Sequence, residues 1–500
     1  MNNSKWKKAT ALGLVLIFLV TLTARLFFAF QSEHFTLGSS YFNLRQVEHI
    51  SNTGLPLIQD DLSYQGRIHL TMPIFYYLLG FFNLFLPLTI VGKIIPNIFA
   101  STLVFIIYLI CKDITHDREL SLLGGLLAGF VPFYFSKTFN NISVQSLVVP
   151  MIFLMIYLMF RAKSKNHVKA FLVLTFILVL TSPVSLLLLG GFIVYSILAW
   201  TLKVRVKKIN KELMMFYSIA SVWLISMFYQ NALLNYGQKI IWQNIPAEIL
   251  GKYFTEITLI GVIMNIGVIS SLVGFYIVYK YLFIKKNTKL LLLIGFLIST
   301  GLLTWFKLIK PVTGFMYVSI IMVILFMVFI KELPMMTKET KFSQYRYLIM
   351  ILLGVVFIIS SLLPSIASAM QELDKTSSAV DYLKAQQFPE SATIVAHVDQ
   401  GNLIQFYTKR KTVADLQFLL APNPAERLKD LKTIYTTKFE TEAIRLMEKY
   451  GAMYIYTQQE TLDRYNVTFV DYLQDTECFE KQGNFYKRTC ELKAQNGKTS

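Results

Sequence analysis

Charge is scarce in this 500-residue sequence: Asp, Glu, Lys and Arg together make up 16%, against 54% apolar residues. Water cannot be the only solvent for a surface of that composition, which excludes an ordinary soluble enzyme. Cysteine is nearly absent as well, and the 3 present have no metal-ligand spacing. Cys111 falls at the end of an apolar run. Cys478 and Cys490 flank a Gln-Gly-Asn turn at Gln482–Asn484 and could face each other across a hairpin; a disulfide there requires an oxidising compartment. Acids are outnumbered, 30 against 48 basic residues, for a formal charge of +18. That excess is not a nucleic-acid signal, because Lys and Arg collect in short loops between apolar runs. No internal repeat is visible, and the apolar runs hold very few charges, so a transporter built from inverted halves is disfavoured.

What the sequence has in abundance is uninterrupted apolar length. Runs long enough to cross some 30 Å of hydrocarbon at about 1.5 Å per residue recur as far as residue 366. Inside lipid, runs of this length are helices, since only then is every backbone group satisfied. About eleven spans are expected, near 9–30, 93–111, 118–135, 143–160, 168–182, 184–202, 212–229, 257–280, 289–305, 311–330 and 346–366. The aromatic run Ile74–Ile90 is short and contains Pro87. Counting it as a span would scatter the basic loops over both sides, so it reads as an interfacial helix. With that choice MNNSKWKK, KDITHDREL, RAKSKNHVK, KVRVKKINK, the Lys285–Lys289 loop and Lys331–Arg346 face the cytoplasm. The chain is then a multi-pass protein of the cell membrane with a cytoplasmic N-terminus and an extracytoplasmic C-terminus. The first apolar run is too long for a cleaved signal peptide.

From about Ser377 the pattern changes to strands alternating with helices, which predicts an α/β domain. TIVAHV and AMYIYT read as buried strands, ERLKDLKTIY and TEAIRLMEKYG as amphipathic helices, and CFEKQGNFYKRTC as a hairpin. The expected organisation is a transmembrane domain over 1–370, with a long first outer loop at 31–71, and a soluble domain over 371–500 on the outer face.

The first outer loop carries the densest chemistry. In YFNLRQVEHI, Arg45, Glu48 and His49 share a helix face; Asp60, Asp61, Arg67 and His69 follow in a turn-rich stretch. Carboxylates for proton transfer and cations for a departing phosphate are both present. Each residue also has a plainer reading: Glu48 with Arg45 as an intrahelical ion pair, Asp60 with Asp61 as a solvated turn. A polar segment of this length between membrane elements nevertheless points to binding. A second outer loop, FYFSKTFNNISVQS, offers Lys137, Asn140, Asn141 and Gln145. A third offers Glu248, for which solvation at the membrane edge is the plainer reading. Arg25 and Lys137 read as interfacial. Asn141 and Asn466 have the Asn-x-Ser/Thr form, which permits glycosylation.

The order of these parts resembles the catalytic subunit of oligosaccharyltransferase and its prokaryotic relatives, within the GT-C class of membrane glycosyltransferases. SSYFNLRQVEHI is similar to the family's first-loop motif. HVDQG, followed by TKRKTVAD, resembles a worn WWDYG signature and the Arg-rich strand after it; Asp399 and Gly401 remain, while His397, Val398 and Gln400 replace the aromatics. The family's first-loop metal-binding Asp corresponds to Ser39, and its second-loop acidic pair to amides and hydroxyls around Asn140–Gln145. Glu248, in IPAE, resembles the Glu of a later outer-loop motif. The resemblance implies a GT-C-like polytopic α-helical fold and transfer of a sugar or oligosaccharide from a polyprenyl-phosphate-linked donor to a protein or glycan acceptor. On that reading Asp60, Asp61 and Glu48 are catalytic candidates; Arg45, Arg67, His69 and Lys137 hold the donor phosphate; Asp399 and Glu248 meet the acceptor. A divalent metal belongs to the family, but its usual acidic ligands are missing from this sequence. The alternative is a GT-C scaffold that has lost catalysis and binds a lipid-linked glycan or an assembly partner.

Overall fold

A computed structural model describes residues 3–255, 258–338, 343–373, 383–384, 386–474 and 477–491. The chain divides into two compact units, one of residues 1–33, 71–231 and 251–375, the other of 34–70, 232–250 and 376–500. Part of the expected link near 371–377 lies outside the described residues.

The first unit is helical. Among the described residues seven helices are long and apolar enough to cross a membrane: Lys8–Phe30, Leu88–Thr115, Pro183–Thr201, Lys208–Phe228, Thr288–Trp305, Pro311–Met336 and Tyr347–Ala367. The sequence predicted about eleven spans, and the difference has physical causes. The run at 118–135 yields a helix of only 12 residues, Arg118–Gly129, followed by the short Pro132–Ser136. The runs at 143–160 and 168–182 form the helices Gln145–Phe160 and Lys165–Val179, of 16 and 15 residues. The run at 257–280 is broken into Leu259–Ile266 and Val268–Tyr279 by Gly267, whose φ of +94° suits glycine and interrupts the helical hydrogen bonds. Ile74–Asn83 has 10 residues, a rise of about 15 Å and half of the hydrocarbon thickness. The helix ends before Pro87, and the next starts at Leu88.

The core of this unit is a continuous apolar cluster drawn from nearly all of its helices, with Tyr134, Phe153, Phe296, Tyr317 and Phe326 fully or almost fully buried. Two of its buried carboxylates are paired. Asp113 takes Arg161 at 2.7 Å and Lys289, and Glu332 takes Lys280 at 2.7 Å and Lys285 at 3.1 Å. A desolvated charge left single in such surroundings would cost several kcal/mol.

The second unit is built on a five-stranded mixed sheet. Its strands follow an earlier two-residue hairpin, β1 (Gln59–Asp60) with β2 (Arg67–Ile68). The sheet comprises β3 (Thr393–Val395), β4 (Lys411–Thr412), β5 (Ala452–Tyr456), β6 (Phe479–Gln482) and β7 (Phe485–Arg488), in the order β4-β3-β5-β7-β6. The first three run parallel, and β7 and β6 complete it antiparallel. Helices Pro424–Thr436 and Glu440–Lys449 connect β4 to β5 and bury Leu431, Ile434, Ala443 and Met447 against the sheet. These elements lie where the apolar spacing predicts them. The β4 edge is capped: Tyr64 N–H donates to Thr412 O (3.2 Å) and Thr412 N–H to Leu62 O (3.1 Å), which covers an otherwise open strand. The segment 232–250 joins the same unit through Asn244, whose amide donates to Phe418 O (3.1 Å), and through Ile245 and Ile249 on the apolar core.

Cys478 and Cys490 form a disulfide that closes the β6–β7 hairpin. Closing a loop of this size stabilises by about 2–3 kcal/mol. Cys478→Ser therefore makes the second unit more sensitive to limited proteolysis in the detergent-solubilised full chain, and dithiothreitol produces the same change in the unmodified protein. Unchanged cleavage kinetics in both cases would contradict the assignment.

Candidate functional site

The helix Gly38–Thr53 carries YFNLRQVEHI and packs Tyr41, Phe42, Leu44 and Val47 inward. Arg45 lies on that buried face, and its guanidinium has to find counter-charges there. They come from a closed ring. Arg45 donates through Nη2 to Asp60 Oδ1, and Arg67 Nη2 donates to Asp60 Oδ2 at 2.7 Å. Arg67 Nη1 donates to Asp415 Oδ1 at 2.6 Å, and Gln405 Nε2 donates to Asp415 Oδ2 at 3.0 Å. Arg45 Nη1 donates to Gln405 Oε1 at 2.6 Å and closes the circuit. Two cations, two carboxylates and one amide are thus joined in a ring that is neutral overall. Asp60 and Asp415 have fully buried side chains, and the two arginines are at most 7% exposed.

The backbone holds the ring in place. The β1–β2 hairpin pairs Asp60 directly with Arg67. Gly401 begins the helix Gly401–Thr408 that carries Gln405, and a methyl on it would lie 2.3 Å from Ala414 O and 2.8 Å from Asp415 Cβ. The glycine retained from the HVDQG stretch is thus required by the close passage of the backbone that presents Asp415.

Burial alone would raise the proton affinity of Asp60, but the Arg45 and Arg67 guanidiniums prevail and hold it below the usual carboxylate range. Burial would likewise weaken Arg67, yet Asp415 and Asp60 raise its affinity for the proton. His69 sits against Phe42, ring centroids 4.4 Å apart, and its Nε2 has no hydrogen-bond partner among the described residues. Burial, and secondarily Arg67, push its pKa down to about 3. At neutral pH it is an uncharged imidazole.

The other expected residues have distinct settings. Asp61 is exposed, and its Oδ1 accepts from Gln59 Nε2 at 3.4 Å. Glu48 is half-exposed and pairs with Lys409 at 2.8 Å. Asp399 accepts from Arg464, and His397 Nδ1 lies 3.5 Å from the same carboxylate. Tyr465 packs edge-on against His397 at 5.3 Å. Burial raises its pKa first, and the negative charges of Asp399 and Glu248 raise it further. The two expected acceptor-side carboxylates therefore act on one phenol.

Lys137 belongs to the first unit, half-buried after the Pro132–Ser136 helix. Beside its sequence neighbour Thr138 lies Arg25, expected at the interface and instead fully buried. It donates to Thr138 Oγ1 at 2.8 Å and lies 5.1 and 4.8 Å from the rings of Tyr134 and Phe135, while its Nε and Nη2 have no hydrogen-bond partner among the described residues. Lys93 is buried too and donates to Ala29 O (2.8 Å) and Ser32 O. Sequence reading missed Gln405 and Asp415. Two arginines on one loop, once buried, require more negative charge than Asp60 supplies, but no local pattern marks Asp415 as its source.

The residues that the resemblance pairs with metal ligands are not metal-binding in type. Ser39 and the amides Asn140 and Asn141 supply no carboxylate at the positions concerned, and no three His, Cys, Asp or Glu side chains converge among the described residues.

Two predictions follow from the ring and its neighbour. Asp60→Asn leaves two buried guanidiniums short of charge and costs about 3–5 kcal/mol, read as a lowered unfolding midpoint of the full chain. The second concerns pH. The folded pKa of His69, about 3, lies below its unfolded value of 6.5, so the unfolded chain binds a proton that the folded chain refuses. Stability is complete above about pH 6.5 and declines as pH falls toward 3. Asp60, also lowered, adds a loss in the same direction below about pH 4. His69→Gln should flatten the thermal-midpoint profile between pH 6.5 and 4; an unaltered slope would show that His69 is not the group concerned.

No known protein family profile matches the chain, and no curated protein matches it. Solved structures do. The archaeal oligosaccharyltransferase AglB from Archaeoglobus fulgidus, in complex with an inhibitory peptide and a dolichol-phosphate, matches with a TM-score of 0.64 at 13% identity, over 90% of this chain and 69% of its own. The apo form of the A. fulgidus enzyme gives 0.65 at 12%, with the same coverage. ArnT from Cupriavidus metallidurans bound to undecaprenyl phosphate gives 0.55 at 10%, over 97% of this chain and 98% of its own. At such identities the likeness is one of fold: the chain is a multi-pass membrane protein with the GT-C fold, divergent from and similar to oligosaccharyltransferase and ArnT.

Proposed function

We propose that this chain is a membrane glycosyltransferase that moves a sugar or oligosaccharide from a polyprenyl-phosphate-linked donor to an acceptor at the extracytoplasmic face. The observation that carries the proposal is the likeness of fold along nearly the whole chain to two glycosyltransferase structures that hold, respectively, a dolichol-phosphate and undecaprenyl phosphate. The Cys478–Cys490 disulfide supports an extracytoplasmic C-terminus, because such bonds persist in oxidising compartments.

In the proposed reaction the bond between the sugar's anomeric carbon and the phosphate oxygen breaks as the acceptor nucleophile bonds to that carbon. The acceptor's proton passes to a carboxylate, and the electron pair leaves with the phosphate. Asp61 suits the base role: it is exposed and engaged by a single long hydrogen bond from an amide. Asp60, with both oxygens occupied and its proton affinity lowered, suits the role of a positioning residue that fixes Arg45 and Arg67. Lys137 supplies positive charge for the donor phosphate, while Arg45 and Arg67, neutralised by Asp60 and Asp415, hold the loop in shape. His69, neutral at physiological pH, contributes shape and no charge. Asp399 and Glu248 are the acceptor-side carboxylates, and Glu48 a peripheral one tied to Lys409.

Removing a general base lowers transfer by about 10²–10⁴-fold. Asp61→Asn in proteoliposomes supplied with a radiolabelled polyprenyl-linked sugar should fall in that range while the melting profile is unchanged. Transfer within about threefold of the unmodified rate would remove Asp61 from the mechanism. A second reading, a GT-C scaffold that binds the lipid-linked glycan without turnover, is favoured by the sealed state of Asp60 and the missing metal acids. It predicts saturable binding of polyprenyl phosphate and no label on any acceptor.

A further inference from the structure

Away from the charged ring, the first unit contains an open cavity of about 1290 Å³ between the helices Leu186–Thr201 and Lys208–Phe228 and the loop that joins them. It exceeds the roughly 300–1,000 Å³ of a small-molecule site. Its walls are Phe192, Ile193, Ile197, Trp200, Met214 and Met215. Several of these point outward: Ile193 is 52% exposed, Trp200 82% and Met215 62%. Both helices belong to segments long and apolar enough to cross a membrane. An apolar groove on such helices meets lipid rather than water.

One end of the groove has a different character. Lys203, Arg205 and Lys211 line it there, with Lys207 and Lys208 in the same short stretch. Lys208 has an acidic partner, Glu212 at 3.9 Å. The side chains of Lys203, Arg205 and Lys211 make no ion pair or hydrogen bond among the described residues. Arg205 and Lys207 also line a smaller adjoining cavity of about 70 Å³, whose other cation, Lys289, is already paired with Asp113. The loop is anchored by Lys286, which donates to Leu202 O at 2.8 Å. A cluster of uncompensated cations at the rim of an apolar groove, held on an anchored loop, fits one kind of occupant.

We propose that this groove is a binding site for an anionic glycerophospholipid, with acyl chains along Phe192, Ile197 and Met215 and the phosphate among Lys203, Arg205 and Lys211. A zwitterionic lipid would bring its own ammonium against these three cations, so the site discriminates by headgroup charge. The proposal is independent of the transferase reading, because none of its residues is placed in the reaction.

Trp200 makes the site readable. The full chain, in nanodiscs of phosphatidylcholine, is titrated with phosphatidylglycerol brominated in its acyl chains, and the quenching that depends on Trp200 is isolated by comparison with Trp200→Phe. Brominated phosphatidylglycerol should quench at lower mole fraction than brominated phosphatidylcholine. Arg205→Gln and Lys211→Gln should each weaken the phosphatidylglycerol response about fivefold and leave the phosphatidylcholine response unchanged. Both residues are exposed, and the phosphatidylcholine response reports whether the groove is still intact. Ile197→Trp, which fills the groove and spares the cations, should abolish the headgroup preference. Equal quenching by the two lipids, or a preference that survives both charge substitutions, overturns the proposal. Displacement of phosphatidylglycerol by equimolar undecaprenyl phosphate overturns it as well, since the occupant would then be the carrier lipid.

Discussion

Arg45, Asp60, Arg67, Asp415 and Gln405 close a ring in which every member satisfies its neighbour, buried where none could be left single. Burying four charges carries a large desolvation cost, and the gain in Coulomb energy offsets it only with good geometry and complete hydrogen bonding. The ring's hydrogen bonds come from segments more than three hundred residues apart in sequence, and Arg67 Nε is left without a partner among the described residues. The first-loop helix supplies one arginine, the β1–β2 hairpin an Asp–Arg pair, and the segment after β3 the amide and second carboxylate. Hydrophobic contact would hold these segments together in many registers. The ring accepts only one, and with it come the edge contacts at Thr412 and the seat of Gly401 against Ala414.

The helical unit obeys a different constraint. Its backbone is satisfied within helices, so its variety lies in their length and in the few polar groups they enclose. Asp113 and Glu332 are each held by two basic side chains. Arg25 is the exception, with aromatic faces and a single hydroxyl in place of a carboxylate.

Apolar periodicity made the strands, the two amphipathic helices and the terminal hairpin legible, because each buries one face and the spacing records which. Apolar length found a helix at every expected span but not its integrity. Gly267 and the segment after Gly129 interrupt runs whose hydropathy alone reads as continuous. Charge type and local spacing singled out Arg45, Asp60 and Arg67, yet could not reveal that they neutralise one another. That depends on Asp415 and Gln405, whose positions follow from the sheet and not from any local pattern. Arg25 was misjudged for a related reason: position near a helix end suggests the interface, and only the packing of Tyr134 and Phe135 around it encloses the side chain.

The proposed chemistry at a lipid-linked phosphate rests on the likeness of fold and is supported by the oxidised hairpin. The most direct measurement is a single-turnover experiment with the purified chain in proteoliposomes, enzyme in excess over a polyprenyl-linked sugar, following the lipid product. The account predicts stoichiometric appearance of the sugar-free polyprenyl phosphate or diphosphate, dependent on added acceptor. Donor that remains bound and intact through many binding lifetimes, with acceptor present, would contradict it.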